Sequence, residues 1–355
     1  MSCISLKGFP LGVALVCLLA APAVAAQITY QEVTVGNPGN ANDTGGGAIG
    51  AVAYSYQIGK FDVTIGQYSA FLNAADPNGT NPNGIYNSSM GTDLNSAGIS
   101  YNPASSTGSK YSVMDNGGDS GPRPITYVSW FDAARFANWM TNGQGSGSTE
   151  TGAYDLANAA AGVAPAKTPG AAFYIPDQNQ WYKAAYYDPT LNGGTGGYYT
   201  YATQSNSAPG NTIGSDPNQA NYIAGGNYSV TQSSSYDGNQ NYLTAVGAFS
   251  RSASFYGTFD QSGNVNQWND LDGTTGSSRG LRGGDWNYTA SSVSSSYSCS
   301  TSPSYESYYA GFRLASPVSR PVPEIDPAGM GSVLALLTGA FGLLERRRLK
   351  ANLAS

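Results

Sequence analysis

Histidine is absent from all 355 residues, and only 11% of the chain is charged, against about 25% in an ordinary globular domain. Without imidazole, the chain cannot build a Ser-His or Cys-His catalytic pair, or a zinc, iron or haem site that histidine ligates. Lysine and arginine number 16 against 22 aspartates and glutamates, which gives a formal net charge of −6. Since no basic patch exists to displace phosphate counterions, nucleic acid is excluded as a partner.

The chain has few charged residues and many neutral and aromatic ones. The chain is 40% hydrophobic and 12% aromatic, with 26 tyrosines, which is enough apolar surface to build a core. Its 46 glycines and 19 prolines indicate many turns. The composition therefore predicts a loop-rich folded domain.

The first 26 residues have the pattern of a signal peptide. A single lysine precedes the apolar run PLGVALVCLLAAPAVAA, which ends in small residues at 23–25 that signal peptidase accepts. We therefore expect export and removal of residues 1–26. Cys3 and Cys17 are lost with that segment, so Cys299 remains alone and no internal disulfide is expected.

The other end of the chain carries a three-part pattern. Val322-Pro323-Glu324 lies in a linker at 317–327, followed by seventeen uncharged residues at 328–344 and a basic tail at 345–355. This pattern resembles the PEP-CTERM sorting signal of Gram-negative bacteria. The resemblance implies processing by an exosortase, transient membrane anchoring, and delivery to the cell surface or extracellular matrix. A permanent single-pass transmembrane anchor is the alternative.

Between these ends, residues 27–316 contain no charge-rich linker or helical repeat, and we interpret them as one domain. Alternating polarity predicts a strand within 27–35, and a second strand within 52–64 that leads into a helix. Stretches rich in Gly, Ser, Asn and Tyr at 191–216 and 224–244 predict long loops and short strands.

Three helix starts carry a capping box, in which the N-cap side chain and the third helical side chain each bond to the other's main chain. An apolar stripe follows each of them at helical spacing. The capping pairs are Thr64 with Gln67, Ser129 with Asp132, and Asp177 with Gln180. The five tryptophans, predicted to be core residues, are Trp130, Trp139, Trp181, Trp268 and Trp286.

Six motifs in order give the chain a family resemblance over roughly residues 30–316. They are VTIGQYSAFLNA, PITYVSWFDAARFANWM, FYIPDQNQWYKAAYYDP, QSGNVNQW, RGLRGGDW and AGFRLAS. In this order they resemble the formylglycine-generating enzyme (sulfatase-modifying factor) family. The resemblance implies a single irregular, loop-rich α+β domain related to C-type lectins. It also implies an oxidation of a sulfatase cysteine to formylglycine that uses oxygen and copper.

The thiol pair that this activity needs is missing from the sequence. The family holds Cu(I), which favours thiolates, with two cysteines spaced C-x4-C before the GFR motif. The corresponding stretch, SSVSSSYSCSTSPSYESYYAGFR, contains only Cys299, with Ser294 five residues earlier; another alignment gives Ala290 and Ser295. Copper chemistry is therefore not expected, and Cys299 is predicted to be a small packed residue. The iron-dependent relatives need histidine and are excluded as well.

The calcium positions of the family are better preserved. The resemblance places a first calcium site at residues 220–222 (sequence ANY) and 237–239 (sequence DGN), and a second site around the motif GNVNQW. Calcium accepts mixed carboxylate, amide and carbonyl oxygens. We expect calcium as a cofactor at one of them or both. The proposed ligands are Asn221, Tyr222, Asp237 and Asn239 for the first site, and Asp260, Gly263, Val265 and Gln267 for the second.

Three functions follow from these observations. The first is an exported family member that has lost copper chemistry and acts as a calcium-stabilised binding or structural module. The second is a lectin-like binder of glycan or protein, because residues 286–309 are dense in Tyr, Ser and Asn, which make adaptable contacts; Tyr305 and Tyr308 are its test positions. The third is an active oxidase. Asp270 and Asp272 are interpreted as an exposed turn rather than a catalytic pair.

Overall fold

The computed structural model describes residues 27–45 and 47–318. The predicted signal peptide and sorting signal lie outside these residues. The described part is built from short helices and strands joined by long loops, which confirms the predicted α+β class. None of its helices has the length and apolar character needed to cross a membrane.

Five helices occur in the described residues. They are α1 (Ile65–Ala75), α2 (Ser89–Thr92), α3 (Trp130–Thr141), α4 (Gln178–Tyr186) and α5 (Leu191–Gly194). The three predicted capping boxes open α1, α3 and α4, with both reciprocal bonds of each box formed. A side-chain acceptor thus satisfies a main-chain N–H that would otherwise lack a partner at each of these helix starts.

The same residues contain eleven strands of two to four residues each. They are β1 (Glu32–Val35), β2 (Tyr56–Gly59), β3 (Ile99–Tyr101), β4 (Tyr111–Val113), β5 (Tyr187–Asp188), β6 (Gly197–Tyr198), β7 (Asn266–Asn269), β8 (Arg279–Arg282), β9 (Cys299–Thr301), β10 (Ala310–Gly311) and β11 (Ala315–Pro317). Residues 191–216 and 224–244 are mostly turns and loops, as their composition predicts.

Two sheets organise the domain. In the first, β2 pairs with β1 and β11 in antiparallel fashion, so the start and the end of the domain lie side by side. In the second, the order is β10-β7-β8-β9, with β10 parallel to β7 and the other pairs antiparallel. Helix α4 lies against the second sheet, because the Trp181 indole donates to Gln267 of β7 at 2.8 Å.

The main core joins α1, α3 and the two sheets around aromatic rings. Phe136 of α3 contacts Phe71 of α1 and Phe312, which follows β10, in edge-to-face geometry at about 5.3 and 5.4 Å. All five tryptophans are 2% exposed or less, so their assignment to the core is confirmed. Edge-to-face pairs of this kind stabilise beyond the area that they bury.

Asp270 corrects a sequence-based expectation. It is 2% exposed and accepts hydrogen bonds from the Trp130 indole at 2.6 Å and the Tyr154 hydroxyl at 2.7 Å, while Arg279 lies 3.3 Å away. The interpretation of this segment as an exposed turn is therefore wrong for Asp270, although Asp272 is exposed. Acidic residues before a glycine resemble a surface turn in sequence, and the distant partners that bury Asp270 leave no local signal.

Candidate functional site

The tyrosine-rich segment 286–309 meets two distant loops around an open cavity of about 280 Å³. One loop follows α2, and the other belongs to the long segment 224–244. The lining residues are Asp93, Asn95, Tyr236, Trp286, Asn287 and Tyr308. Three separate parts of the chain thus contribute to one concave surface.

Stacked aromatic rings build one wall of this cavity. Trp286 stacks on Tyr242 with 4.6 Å between ring centroids and 8° between planes, and Tyr236 stacks on Tyr242 at 5.8 Å and 11°. Tyr308 lies 5.6 Å from Trp286. Tyr242 is 1% exposed whereas Tyr236 is 57% exposed, so a buried ring supports an accessible one. Rings held in this way lose little conformational entropy when a ligand binds.

Polar groups lie beside these rings. Asn95 accepts a hydrogen bond from the Tyr236 hydroxyl, and the Asn287 amide donates to the Tyr308 hydroxyl at 3.2 Å. The Trp286 indole N–H is buried and has no hydrogen-bond partner in the described part of the chain. Flat apolar faces with a few fixed polar groups are typical of small-molecule binding sites.

Asp285 fixes the turn that carries Trp286 and Asn287. Its carboxylate accepts from the Asn287 main-chain N–H and from the Asn266 side-chain amide of β7, both at 2.9 Å. Burial raises the pKa of Asp285 to about 7, although both hydrogen bonds lower it. The position of the cavity wall therefore depends on a carboxyl group that titrates near neutral pH.

The sequence indicated part of this site. Tyr308, named as a test position, lines the cavity. Tyr305 does not line it, and instead its hydroxyl contacts the hydroxyl of Tyr309. Asp93, Asn95 and Tyr236 were not predicted, because loops without regular spacing bring them there from elsewhere in the chain.

The second proposed calcium site contains a hydrogen-bond network. The Gln267 side-chain amide donates to the main-chain oxygen of Asp260 at 2.7 Å, while its carbonyl oxygen accepts from Arg313 at 2.7 Å. The Asp260 carboxylate accepts from the Gly247 N–H at 2.7 Å, and Val265 is fully buried. Gly263 (φ 88°) packs against Asn221, whose carbonyl would lie 2.2 Å from an added Cβ. N–H donors and a guanidinium thus occupy the Gln267 side-chain oxygen and one carboxylate oxygen of Asp260, and a cation would have to displace them.

At the first proposed calcium site, fewer side-chain oxygens accept hydrogen bonds than at the second site. Asn221 donates to the Tyr242 carbonyl at 2.9 Å, and the Asp237 N–H donates to the Tyr242 hydroxyl at 2.8 Å. The Tyr222 carbonyl accepts from an asparagine amide at 3.2 Å, and Asp237 accepts from the Asn239 N–H at 2.9 Å. One side-chain oxygen of Asn221 and one of Asp237 have no hydrogen bond to the described residues.

A family model for the sulfatase-modifying factor enzyme 1-like domain matches residues 33–318. The chain belongs to this family. The match runs from within β1 to the last described residue after β11, so the order of the six sequence motifs identified the family correctly. No curated protein matches the chain.

Solved structures with partial similarity to this sulfatase-modifying factor-like chain include three proteins. Variable protein 1 of Treponema denticola is 18% identical with a TM-score of 0.48, covering 82% of this chain and 97% of that one. CarF is 20% identical with a TM-score of 0.48, covering 82% and 99%. PvdO from Pseudomonas aeruginosa is 18% identical with a TM-score of 0.40, covering 81% and 92%.

This sulfatase-modifying factor-like domain has one thiol, which lies at the surface. Cys299 on β9 is exposed, so its prediction as a packed residue is wrong. Ser294 is buried and its hydroxyl donates to the Ser291 carbonyl at 2.8 Å. The alternative pair, Ala290 and Ser295, supplies no sulfur either. The residues present therefore do not fit a two-thiolate copper site, and the structure offers no cluster of three acidic or cysteine side chains within 27–45 and 47–318.

Buried carboxyl groups make the stability of this domain depend on pH. Burial is the largest cause that raises the pKa of five aspartates: Asp62 to about 8, Asp132 and Asp285 to about 7, and Asp260 and Asp270 to about 6. The pKa of aspartate in an unfolded chain is about 3.9. Between that pH and the raised pKa values, the folded state therefore binds more protons than the unfolded state. This contribution to stability is complete below about pH 4 and is lost as the pH rises through 6 to 8.

We therefore expect the urea midpoint of unfolding to be higher at pH 5 than at pH 8. The measurement is urea denaturation followed by tryptophan fluorescence in buffers of equal ionic strength. A midpoint that rises between pH 5 and pH 8 would show that these carboxyls are stabilised as anions in the folded state.

Proposed function

We propose that this protein is an exported, surface-sorted member of its family that binds an extracellular ligand instead of oxidising cysteine. One observation carries the proposal: the cavity between Tyr236, Trp286 and Tyr308 combines ordered rings with the Asn287 side-chain oxygen, which accepts no hydrogen bond from the described part of the chain. The absence of a second thiol in the exported part removes the family's copper ligands. Binding is the activity that the remaining residues support.

The ligand that best fits this cavity is a glycan. The rings of Tyr236 and Tyr308 offer apolar surfaces to the C–H face of a sugar ring, and the Asn287 side-chain oxygen and the two tyrosine hydroxyls offer polar groups to its hydroxyls. A volume of about 280 Å³ is at the small end for ligand pockets, which suits one sugar unit. Screening the purified protein against glycan and peptide panels tests the proposal, and a peptide-only response would replace the glycan by a protein ligand.

Export and sorting are supported by the two ends of the sequence. Residues 1–26 have the order of charge, apolar run and small residues that signal peptidase recognises. The Val-Pro-Glu motif, the uncharged segment 328–344 and the arginines after it support an exosortase partner and a destination at the cell surface or matrix. Such a location would give the tyrosine-lined cavity access to extracellular glycans.

Calcium at the first site completes the proposed function. Asn221 and Asp237 would supply side-chain oxygens, and Tyr222 and Asn239 would supply carbonyls. If calcium is present at about 100 times its dissociation constant, it adds about 2.7 kcal/mol of stability, so removing it with EGTA is expected to lower Tm by about 5–10 °C.

Scanning calorimetry with calcium and with EGTA measures this change. We expect Asp237→Asn to lose most of the difference, whereas Asp155→Asn, at another exposed aspartate, keeps it. A wild-type Tm that is equal in calcium and in EGTA would remove calcium from the proposal and leave the glycan site untouched.

A further inference from the structure

Arg282 at the end of β8 is a buried cation without an acidic partner. It is 5% exposed, and none of the three ion pairs among the described residues includes it. Its Nη1 donates to the carbonyls of Ser295 and Tyr297 at 3.3 and 3.0 Å, and its guanidinium lies 5.2 Å from the centre of the Tyr182 ring. Burial lowers the pKa of Arg282. Buried charges are normally paired, so this arrangement lacks an anion.

The free edge of the guanidinium has the geometry that carboxylates and phosphates prefer. Both bonds to carbonyls use Nη1, while Nε is buried and unpartnered, and Nη2 has no hydrogen bond to residues 27–45 or 47–318. Nε and Nη2 carry two parallel N–H groups on one side of the planar group. This fork binds two oxygens of one oxyanion.

A second unpartnered donor lies on the same face of the sheet. Asn269 on β7 is fully buried, and its Oδ1 accepts from the Leu271 N–H at 3.1 Å, which orients the amide and leaves Nδ2 without a partner. Asn269 is opposite Gly280 in the β7–β8 register, and Gln267 is opposite Arg282. Because side chains alternate along a strand, Asn269 and Arg282 share one face.

These two side chains line a cavity of about 180 Å³ under the start of α4. This is several times the volume of about 30 Å³ that a water molecule occupies in the liquid. No acidic residue lines it; the other lining residues are Gln178, Leu271, Gly280, Ser298, Cys299 and Ser300. The cavity is built from different residues than the tyrosine-lined one.

We propose that this cavity binds an oxyanion, either the carboxylate or the phosphate group of a small ligand. The Nε and Nη2 groups of Arg282 hold two of its oxygens, and Nδ2 of Asn269 donates to the anion beside them. Ser298, just before β9, and Ser300 on β9 form the rim. The anion balances a charge that the protein buries alone, so binding couples to stability.

Thermal unfolding at constant ionic strength tests this site with acetate, inorganic phosphate and chloride as probes. We expect Tm to rise with acetate or phosphate over chloride, and the probe with the larger rise identifies the group. We expect Arg282→Gln to weaken binding at least tenfold in titration calorimetry, whereas Arg251→Gln, which removes an exposed cation, leaves it unchanged.

A second variant keeps the test decisive if Arg282→Gln does not fold. Ser300→Glu adds a carboxylate at the rim of the cavity, and we expect it to raise Tm in chloride and to abolish the response to the probes. Equal wild-type Tm values in all three salts, or a response that survives in Ser300→Glu, would overturn the proposal. Neither outcome bears on glycan binding at the tyrosine-lined cavity.

Discussion

Replacing Arg313 with methionine is expected to lower the free energy of unfolding by about 3–5 kcal/mol at pH 8, the range for removing one partner of a buried ion pair. Arg313 and Asp62 are both fully buried, with 3.2 Å between Nη2 and Oδ1. Arg313 also donates to the carbonyls of Gly59 and Phe259 at 2.9 and 2.7 Å, and thereby joins β2 to the loop before β7. The variant loses these contacts and leaves Asp62 without its cation.

The size of this loss is expected to depend on pH. Oδ2 of Asp62 has no hydrogen-bond partner in the described part of the chain, and burial already raises the pKa of Asp62 to about 8. Without Arg313 this pKa rises further, because the guanidinium is the group that lowers it. The variant should therefore recover part of its stability at pH 5, where Asp62 takes up a proton.

Urea denaturation of the wild type and Arg313→Met at pH 5 and pH 8 measures both effects. Arg251→Met is the control, since Arg251 is exposed, and its stability should stay within about 0.5 kcal/mol of the wild type. A loss in Arg313→Met as small as that of the control would show that this ion pair does not connect the sheet to its neighbouring loop.

Replacing Tyr308 or Tyr236 with alanine is expected to weaken glycan binding at least tenfold, which corresponds to about 1.4 kcal/mol. Both rings line the cavity, and both lie on the stacked pair of Trp286 and Tyr242. Truncating an aromatic side chain at the centre of a binding surface commonly costs about 2 kcal/mol or more of binding free energy. For Tyr236→Ala the effect should appear in affinity and leave the fold intact, because Tyr236 is 57% exposed.

Surface plasmon resonance with the glycan found by panel screening measures this change. Tyr54→Ala is the matched control, because Tyr54 is 52% exposed and does not line the cavity. Tyr305→Ala should have a smaller effect than Tyr308→Ala, since the Tyr305 hydroxyl is engaged with Tyr309. Equal affinities for the wild type, Tyr308→Ala and Tyr236→Ala would place the ligand elsewhere.

Local patterns predicted the local structure well. Thr64, Ser129 and Asp177 each cap a helix as predicted, because a capping box needs only residues three apart. The order of six short motifs predicted the family, which the match over residues 33–318 shows. These features depend on neighbours in the sequence and are readable there.

Contacts between distant residues account for what the sequence did not predict. Asp270 resembles a surface turn, yet Trp130 and Tyr154, more than 100 positions away, bury it. Cys299 was expected to be packed, but it lies exposed on β9, the outermost strand of its sheet. The side of the Arg282 guanidinium that lacks hydrogen-bond partners is set by the packing of β8 against α4. Burial and hydrogen-bond partners at such positions are set by tertiary structure.

An assay for cysteine oxidation tests the central claim most directly. The purified protein is incubated with Cu(I), oxygen, a cysteine-containing sulfatase peptide and a thiol reductant, which supplies the two further electrons needed to reduce oxygen to water. The peptide mass is followed for conversion to formylglycine. We expect the peptide cysteine to remain unconverted, with the same result for Cys299→Ser, because one exposed thiol does not make a two-thiolate site. Conversion by the wild type that Cys299→Ser abolishes would contradict the proposed loss of catalysis.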